Sequence, residues 1–311
     1  MVRNVVLAYH DIGAACLEEL IASGAEVSLV VTHDDQPGEN IWFRSVRELA
    51  ERSGIPVVAP LDVNAPELRE RLQRLKPDFL FSAMFRQLLK RELLELPRLG
   101  ALNLHPSLLP KFRGRAPINW AILHGETETG VTLHYMVEKA DRGDIVAQRS
   151  FPIADEDTAL TVHRKATEAT RLLVRETYPL LASGRAPRLV QDHSQASYFG
   201  GRKPADGEID WRWPAKRVYD LVRAVTHPYP GAFTWHRGRR LFVWWARPIE
   251  AGGALRPGEI DVDSAVAVRV GAGEAALGLE RVQVEGEEEI TATEWALGGA
   301  CRSGEILGRT Q

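Results

Sequence analysis

The chain has 311 residues, of which 44% are hydrophobic and 26% charged, and its formal net charge is −3. That length suits two domains of ordinary size, and the composition excludes a disordered or collagenous chain. The slightly acidic balance argues against a protein that grips a nucleic-acid backbone. With only Cys16 and Cys301, far apart, neither a disulfide framework nor a zinc site is expected.

Residues 1–8 run into a short apolar stretch without the hydrophobic region or cleavage site of a secretory signal. No segment approaches the ~20 apolar residues that span a bilayer. A cytoplasmic protein with no membrane partner is expected.

In chain order, residues 5–8 read as a strand, 16–23 as a helix closed by Ser23-Gly24, and 27–32 as a second strand. A helix at 45–53, a short strand at 57–58, a helix at 66–75 and a buried strand at 79–82 follow, then a strand at 101–105. Residues 131–137 and 145–151 read as strands on either side of a turn, and 154–182 as a long helix. Gly, Pro, Asp and Ser then gather over 183–210, around Gly200-Gly201-Arg202-Lys203-Pro204, which marks a linker. After a helix at 215–225 the pattern becomes strand-like at 232–235, 241–245, 265–270 and 281–284.

The expected fold is α/β: a Rossmann-like parallel sheet flanked by helices over residues 1–200, then a linker helix and a small OB-like β-barrel over 201–311. The aromatic cluster Trp211, Trp213, Trp235, Trp244 and Trp245 is expected to serve packing or interdomain contact. The first strand ends Ala8-Tyr9-His10-Asp11-Ile12-Gly13, without a G-x-G-x-x-G, and there is no P-loop, so neither a nicotinamide cofactor nor ATP is expected.

The strongest chemical signal is Asn103-Leu104-His105-Pro106-Ser107-Leu108-Leu109-Pro110. Side chains alternate along a strand, so Asn103 and His105 share one face. Pro106 ends that strand, which puts His105 at its carboxyl end, where open α/β sheets bind ligands. An imidazole in such a role needs a carboxylate to fix its tautomer and orientation. In Ala140-Asp141-Arg142-Gly143-Asp144-Ile145 both Asp141 and Asp144 compete for that place.

With Arg113-Gly114-Arg115-Ala116-Pro117-Ile118-Asn119-Trp120 and Gly125-Glu126-Thr127-Glu128-Thr129-Gly130 added, the chain resembles the formyltetrahydrofolate-dependent formyltransferase family. Ala8-Tyr9-His10-Asp11, Thr32-His33 and Pro37-Gly38-Glu39 carry the same resemblance. It implies a catalytic set of Asn103, His105 and Asp141, with Asp141 rather than Asp144 beside the histidine. Asn103 would donate to the developing oxyanion and His105 would take the amine's proton.

The resemblance further implies 10-formyltetrahydrofolate as cosubstrate, no metal, and a folate site at Gln87, Leu88, Leu89, Arg115, Val137, Glu138, Lys139, Ala140 and Asp141. Plain helix packing competes for Leu88 and Leu89, and a solvated loop charge for Arg115. The implied acceptor is the amine of a nucleotide-linked sugar, UDP-4-amino-4-deoxy-L-arabinose in first place, met by Tyr9, His10, Asn119 and Trp120. Methionyl-tRNA is the next acceptor, disfavoured because the 32–40 loop has no Lys or Arg to hold an acceptor stem. Two readings outside amine formylation are a formyltetrahydrofolate hydrolase and a silent folate-binding module. The second would have lost part of the catalytic set.

Overall fold

The computed structural model describes residues 2–249, 255–263 and 267–309, in two compact units. The first comprises residues 1–117, 128–152 and 163–200; the second comprises 118–127, 153–162 and 201–311. The division after Gly200 falls in the Gly-rich linker. Two short segments from the first two hundred residues nevertheless group with the second unit.

The first unit is built from β1 (Arg3–Ala8), α1 (His10–Ala22), β2 (Glu26–Val31), α2 (Val46–Arg52), β3 (Val57–Val58), α3 (Pro66–Leu75), β4 (Phe79–Ala83), α4 (Arg91–Leu94) and β5 (Gly100–His105). After β6 (Arg113–Gly114) come β7 (Glu128–Tyr135), β8 (Ile145–Pro152), α6 (Ala159–Ala182) and β9 (Tyr198–Phe199); α5 (Pro117–Leu123), beyond its first residue, and the first turn of α6 group with the second unit. Strands β1 to β5, β7 and β8 form one seven-stranded sheet in the order β3-β2-β1-β4-β5-β7-β8. The first five are parallel, and Val5, Val6, Leu7 and Leu80 at its centre are fully buried, as strands covered on both faces must be.

The sheet is not parallel throughout: β7 runs antiparallel to β5, and β8 antiparallel to β7. A tight turn can join antiparallel neighbours, whereas a parallel pair needs a crossover. The short 136–144 connection therefore settles the direction of β8. Helix α1 starts six residues before the sequence pattern suggests. Tyr9 gives no side-chain cap to reveal the start, and Gly13 weakens the local helix signal. That glycine is needed because a Cβ there would lie 3.0 Å from Ala8 Cβ and 3.1 Å from the Ala83 carbonyl oxygen. Helix α6 begins at Ala159 rather than 154, because the Asp157 side chain accepts from the Ala154 N–H and holds a turn there.

The second unit contains α7 (Ala215–Val225) and the antiparallel strands β10 (Ala232–His236), β11 (Arg239–Ile249), β12 (Ile260–Val262), β13 (Val268–Gly271), β14 (Ala276–Val284) and β15 (Ile290–Thr291), then α8 (Ala292–Leu297). Positions 265 and 266 of the expected 265–270 strand lie outside the described residues. The sheet order is β10-β11-β14-β13-β12, with β15 beside β14. Its two edges are joined by chain that is not a strand: Ile260 donates to Glu305, Leu307 to Gly258, and Gly308 to Trp235. Trp211 and Trp244 are buried, with their indole N–H groups on Thr234 and Gln283.

Candidate active site

Asn103 and His105 lie on β5, and the antiparallel register places His134 opposite Asn103 and Thr132 opposite His105. The four polar side chains therefore share one face of the sheet. Thr132 is spent on structure: its hydroxyl donates to the Ser107 carbonyl oxygen and accepts from the Leu109 N–H. It thereby fixes the loop that follows β5.

His105 is 5% exposed, and its Nε2 lies 2.8 Å from the Phe112 carbonyl oxygen. A carbonyl only accepts, so Nε2 carries the proton and Nδ1 of the neutral ring presents its lone pair. Nδ1 faces Asp141 Oδ1 at 3.6 Å. The tautomer is thus fixed by the Phe112 backbone rather than by the carboxylate expected to do so. Phe112 is held at φ +56 by its own N–H on Ser197 and by stacking on Phe199.

Burial pushes His105 below its ordinary pKa of 6.5, against the upward pull of Asp141, and leaves a neutral base. Burial alone would raise the carboxyl of Asp141, but its interactions with the His105 and His134 rings, each with a nitrogen 3.6 Å from Oδ1, and the hydrogen bond from the Gly114 N–H outweigh it and hold the group ionised. Asp141 Oδ2 accepts from that Gly114 N–H at 2.8 Å. A proton arriving at Nδ1 of His105 therefore meets a fixed negative charge.

The two carboxylates take different positions. Asp141 turns towards His105 with φ +58, a left-handed conformation that Asp tolerates better than most residues, whereas Asp144 pairs with Arg188 at 3.4 Å. Gln191 braces the Asp141 turn by donating to the carbonyls of Asp141 and Gly143 at 3.0 and 2.7 Å. Gln191 in turn accepts from the fully buried Arg113, whose other partners are His193 and Tyr198.

Sequence reasoning missed His134. Its Nδ1 lies 2.8 Å from the Tyr135 carbonyl oxygen and must carry the proton, so Nε2 accepts from Asn103 Nδ2 at 3.2 Å. One amide hydrogen of Asn103 is pinned there, and the other remains for a ligand. The available signal was spacing: His134 falls two residues after Thr132 in an apolar strand, so it shares that residue's face.

The expected folate residues divide. Leu88 and Val137 are apolar and exposed, at 78% and 46%, on loops rather than helices. Glu138, Lys139, Ala140 and Arg115 are also exposed. Leu89 departs from the expected slot, because its side chain packs into the core with Val63, Leu68 and Leu93. Gln87 spends its amide on Val63 N–H and the Leu61 carbonyl, which fixes the loop carrying Leu88.

Of the expected acceptor residues, Tyr9 and His10 belong to the first unit and are buried. The Tyr9 hydroxyl donates to Asp35 at 2.7 Å, beneath the Arg86 guanidinium. Asn119 and Trp120 belong to the second unit. Asn119 donates to the Ala224 carbonyl at 2.7 Å, and Arg202 lies over the Trp120 ring at 5.0 Å.

A family model described as formyl transferase matches residues 3–177, and one described as formyl transferase, C-terminal domain, matches 202–299. Among solved structures, an N-formyltransferase from Helicobacter canadensis in complex with folinic acid and dTDP-3-aminofucose is 19% identical. The match covers 93% of this chain and 100% of that one, with a TM-score of 0.71. WlaRD, a sugar 3N-formyl transferase solved with dTDP and 5-N-formyl-THF, is 18% identical over 93% and 99% of the two chains, with a TM-score of 0.69. HypX from Aquifex aeolicus in complex with tetrahydrofolic acid is 20% identical, with a TM-score of 0.64. There the match takes 99% of this chain and 51% of that one.

Proposed function

The chain belongs to the formyl transferase family, and from that premise we propose that it moves a formyl group from 10-formyltetrahydrofolate to the amine of a nucleotide-linked sugar. The observation that carries the chemistry is the convergence of Asn103, neutral His105 and ionised Asp141 at the end of β5.

Attack of an amine on the formyl carbon creates an oxyanion and a cationic nitrogen. The free N–H of Asn103 serves the oxyanion, an interaction worth about 3 kcal/mol for one well-placed donor. Nδ1 of His105 takes the proton from the nitrogen, Asp141 stabilises the imidazolium, and the proton then goes to the departing folate nitrogen. Exposed Leu88 and Val137 offer apolar surface for the pterin, and the 137–141 backbone offers its hydrogen bonds.

The acceptor is assigned on two supports. The Helicobacter canadensis enzyme and WlaRD, which share the fold over nearly their full length, were solved with dTDP-3-aminofucose and with dTDP. The 32–40 loop carries Asp34, Asp35 and Glu39 without a Lys or Arg of its own: Asp34 pairs with Arg47, Asp35 accepts from Tyr9, and Glu39 pairs with Arg86. Such a loop offers no net positive charge to an RNA phosphate.

Within the class, the motifs from Ala8 to Glu39 and from Arg113 to Gly130 resemble the formyltransferase domain of the bifunctional polymyxin-resistance enzyme. UDP-4-amino-4-deoxy-L-arabinose is therefore the first acceptor to try. The test supplies purified protein and 10-formyltetrahydrofolate with UDP- and dTDP-amino sugars, glycinamide ribonucleotide and charged methionyl-tRNA, read by mass. Formylation of an amino sugar supports the assignment, and formylation of tRNA overturns it. Formate release at full rate without any amine identifies a hydrolase instead.

A further inference from the structure

The turn from β1 into α1 carries a second polar cluster, on a strand two places along the sheet from β5. His10, Asp11 and His163 each place a ligand atom within 4.8 Å of the others. His10 Nδ1 stands 3.9 Å from Asp11 Oδ2. All three residues belong to the first unit. His10 is 7% and His163 2% exposed.

Buried polar atoms normally find partners. Here His10 Nδ1 and both ring nitrogens of His163 have no hydrogen-bond partner among the described residues. Aromatic rings account for the burial without satisfying the nitrogens. Phe43 stacks on His10 at 3.9 Å, and Trp42 meets His10 and His163 edge-on at 4.4 and 5.2 Å. His10 also adopts φ +67, a left-handed conformation that a non-glycine residue reaches only when its surroundings impose it.

We infer that His10, Asp11 and His163 form a binding site for a zinc-like divalent cation, with one ring nitrogen from each histidine and a carboxylate oxygen from Asp11. Two imidazoles and a carboxylate are a common donor set for zinc, and water can supply the fourth position. Donors around one tetrahedral zinc stand about 3.3 Å apart, so the three groups need to close by roughly 1.5 Å at most. A neutral imidazole is the form that ligates, and both rings are buried.

Such an ion would tie the first residues of α1 to α6 and fix the Tyr9-His10 turn. It has no step in formyl transfer, and as a ligand His10 would serve the ion in place of the acceptor contact expected of it, so metal titration tests the site apart from the acceptor panel.

The test uses the full-length protein, treated with a chelator, dialysed and titrated with Zn²⁺ by calorimetry. Co²⁺ titration adds an absorption readout of tetrahedral coordination. One equivalent of Zn²⁺ should bind, and visible Co²⁺ bands should appear at the same stoichiometry. Changes in partners of a metal ligand already cost 10–100-fold in affinity, so loss of a ligand should weaken binding by about 100-fold or more. His163→Ala and Asp11→Asn are both expected to show that loss. Because His163 is buried, Asp11→Asn keeps the test valid if the first variant fails to fold. Absence of stoichiometric uptake by the unaltered protein, or unchanged affinity in a folded variant, would overturn the assignment.

Discussion

At the residue scale, the site separates what His105 is from what holds it. Its proton is placed by the Phe112 carbonyl and its charge, once formed, by Asp141. Because burial lowers the His105 pKa, the neutral base persists below the ordinary 6.5. Activity should therefore rise with pH through a folded-state value under 6.5 and stay level above it, which a kcat/KM profile measures. An acid limb centred above 6.5 would contradict this. Asn103→Ala should lower kcat by about 10²–10³-fold. His134→Leu releases the pinned Asn103 amide and removes the ring 3.6 Å from Asp141, while leaving Asn103, His105 and Asp141 themselves unchanged. It should lower kcat with little change in either KM, and equal losses in kcat and affinity would point to a collapsed sheet edge instead.

That Asn103 and His105 share one face was legible because strand alternation is a property of the chain itself. That Asp141 rather than Asp144 faces His105 was not, since it depends on a left-handed backbone and on Gln191, fifty residues away. His134 was hidden for a related reason. Its place opposite Asn103 exists only after β7 has paired antiparallel with β5.

At the scale of elements, two close approaches hold the site. A Cβ at Gly114 would stand 2.2 Å from the Phe199 carbonyl oxygen, in a residue at φ +97. A Cβ at Gly143 would stand 1.9 Å from that of Tyr135. Gly114→Ala should push β6 from β9 and withdraw the N–H from Asp141, costing about 1–3 kcal/mol in urea denaturation and most of the activity. A variant with unchanged midpoint and rate would show that the contact is soft. The five parallel strands could be read from their apolar runs. The early start of α1 could not, because the helix opens at an uncapped Tyr9 and a strained His10.

At the scale of the whole molecule, the division after Gly200 was visible in composition, whereas the two excursions into the second unit were not. Arg223 shows why residues 153–162 belong there: it is 2% exposed, pairs with Asp220 at 2.7 Å and donates to the carbonyls of Ala154 and Asp157. No local pattern announces an arginine's partners nearly seventy residues away. Arg223→Ala should destabilise the protein by about 3 kcal/mol, the low end for breaking a buried pair, since Lys216 remains beside Asp220. Thermal unfolding unchanged within error would remove that tether from the account.

The central claim is that Asn103, His105 and Asp141 act together on an amine held beside a formyl carrier. It is tested most directly by Asp141→Asn in steady-state formylation of the amino sugar identified by the acceptor panel. The variant's kcat should fall at least ~10²-fold, with the KM for 10-formyltetrahydrofolate changed far less. A nearly normal turnover number would contradict it.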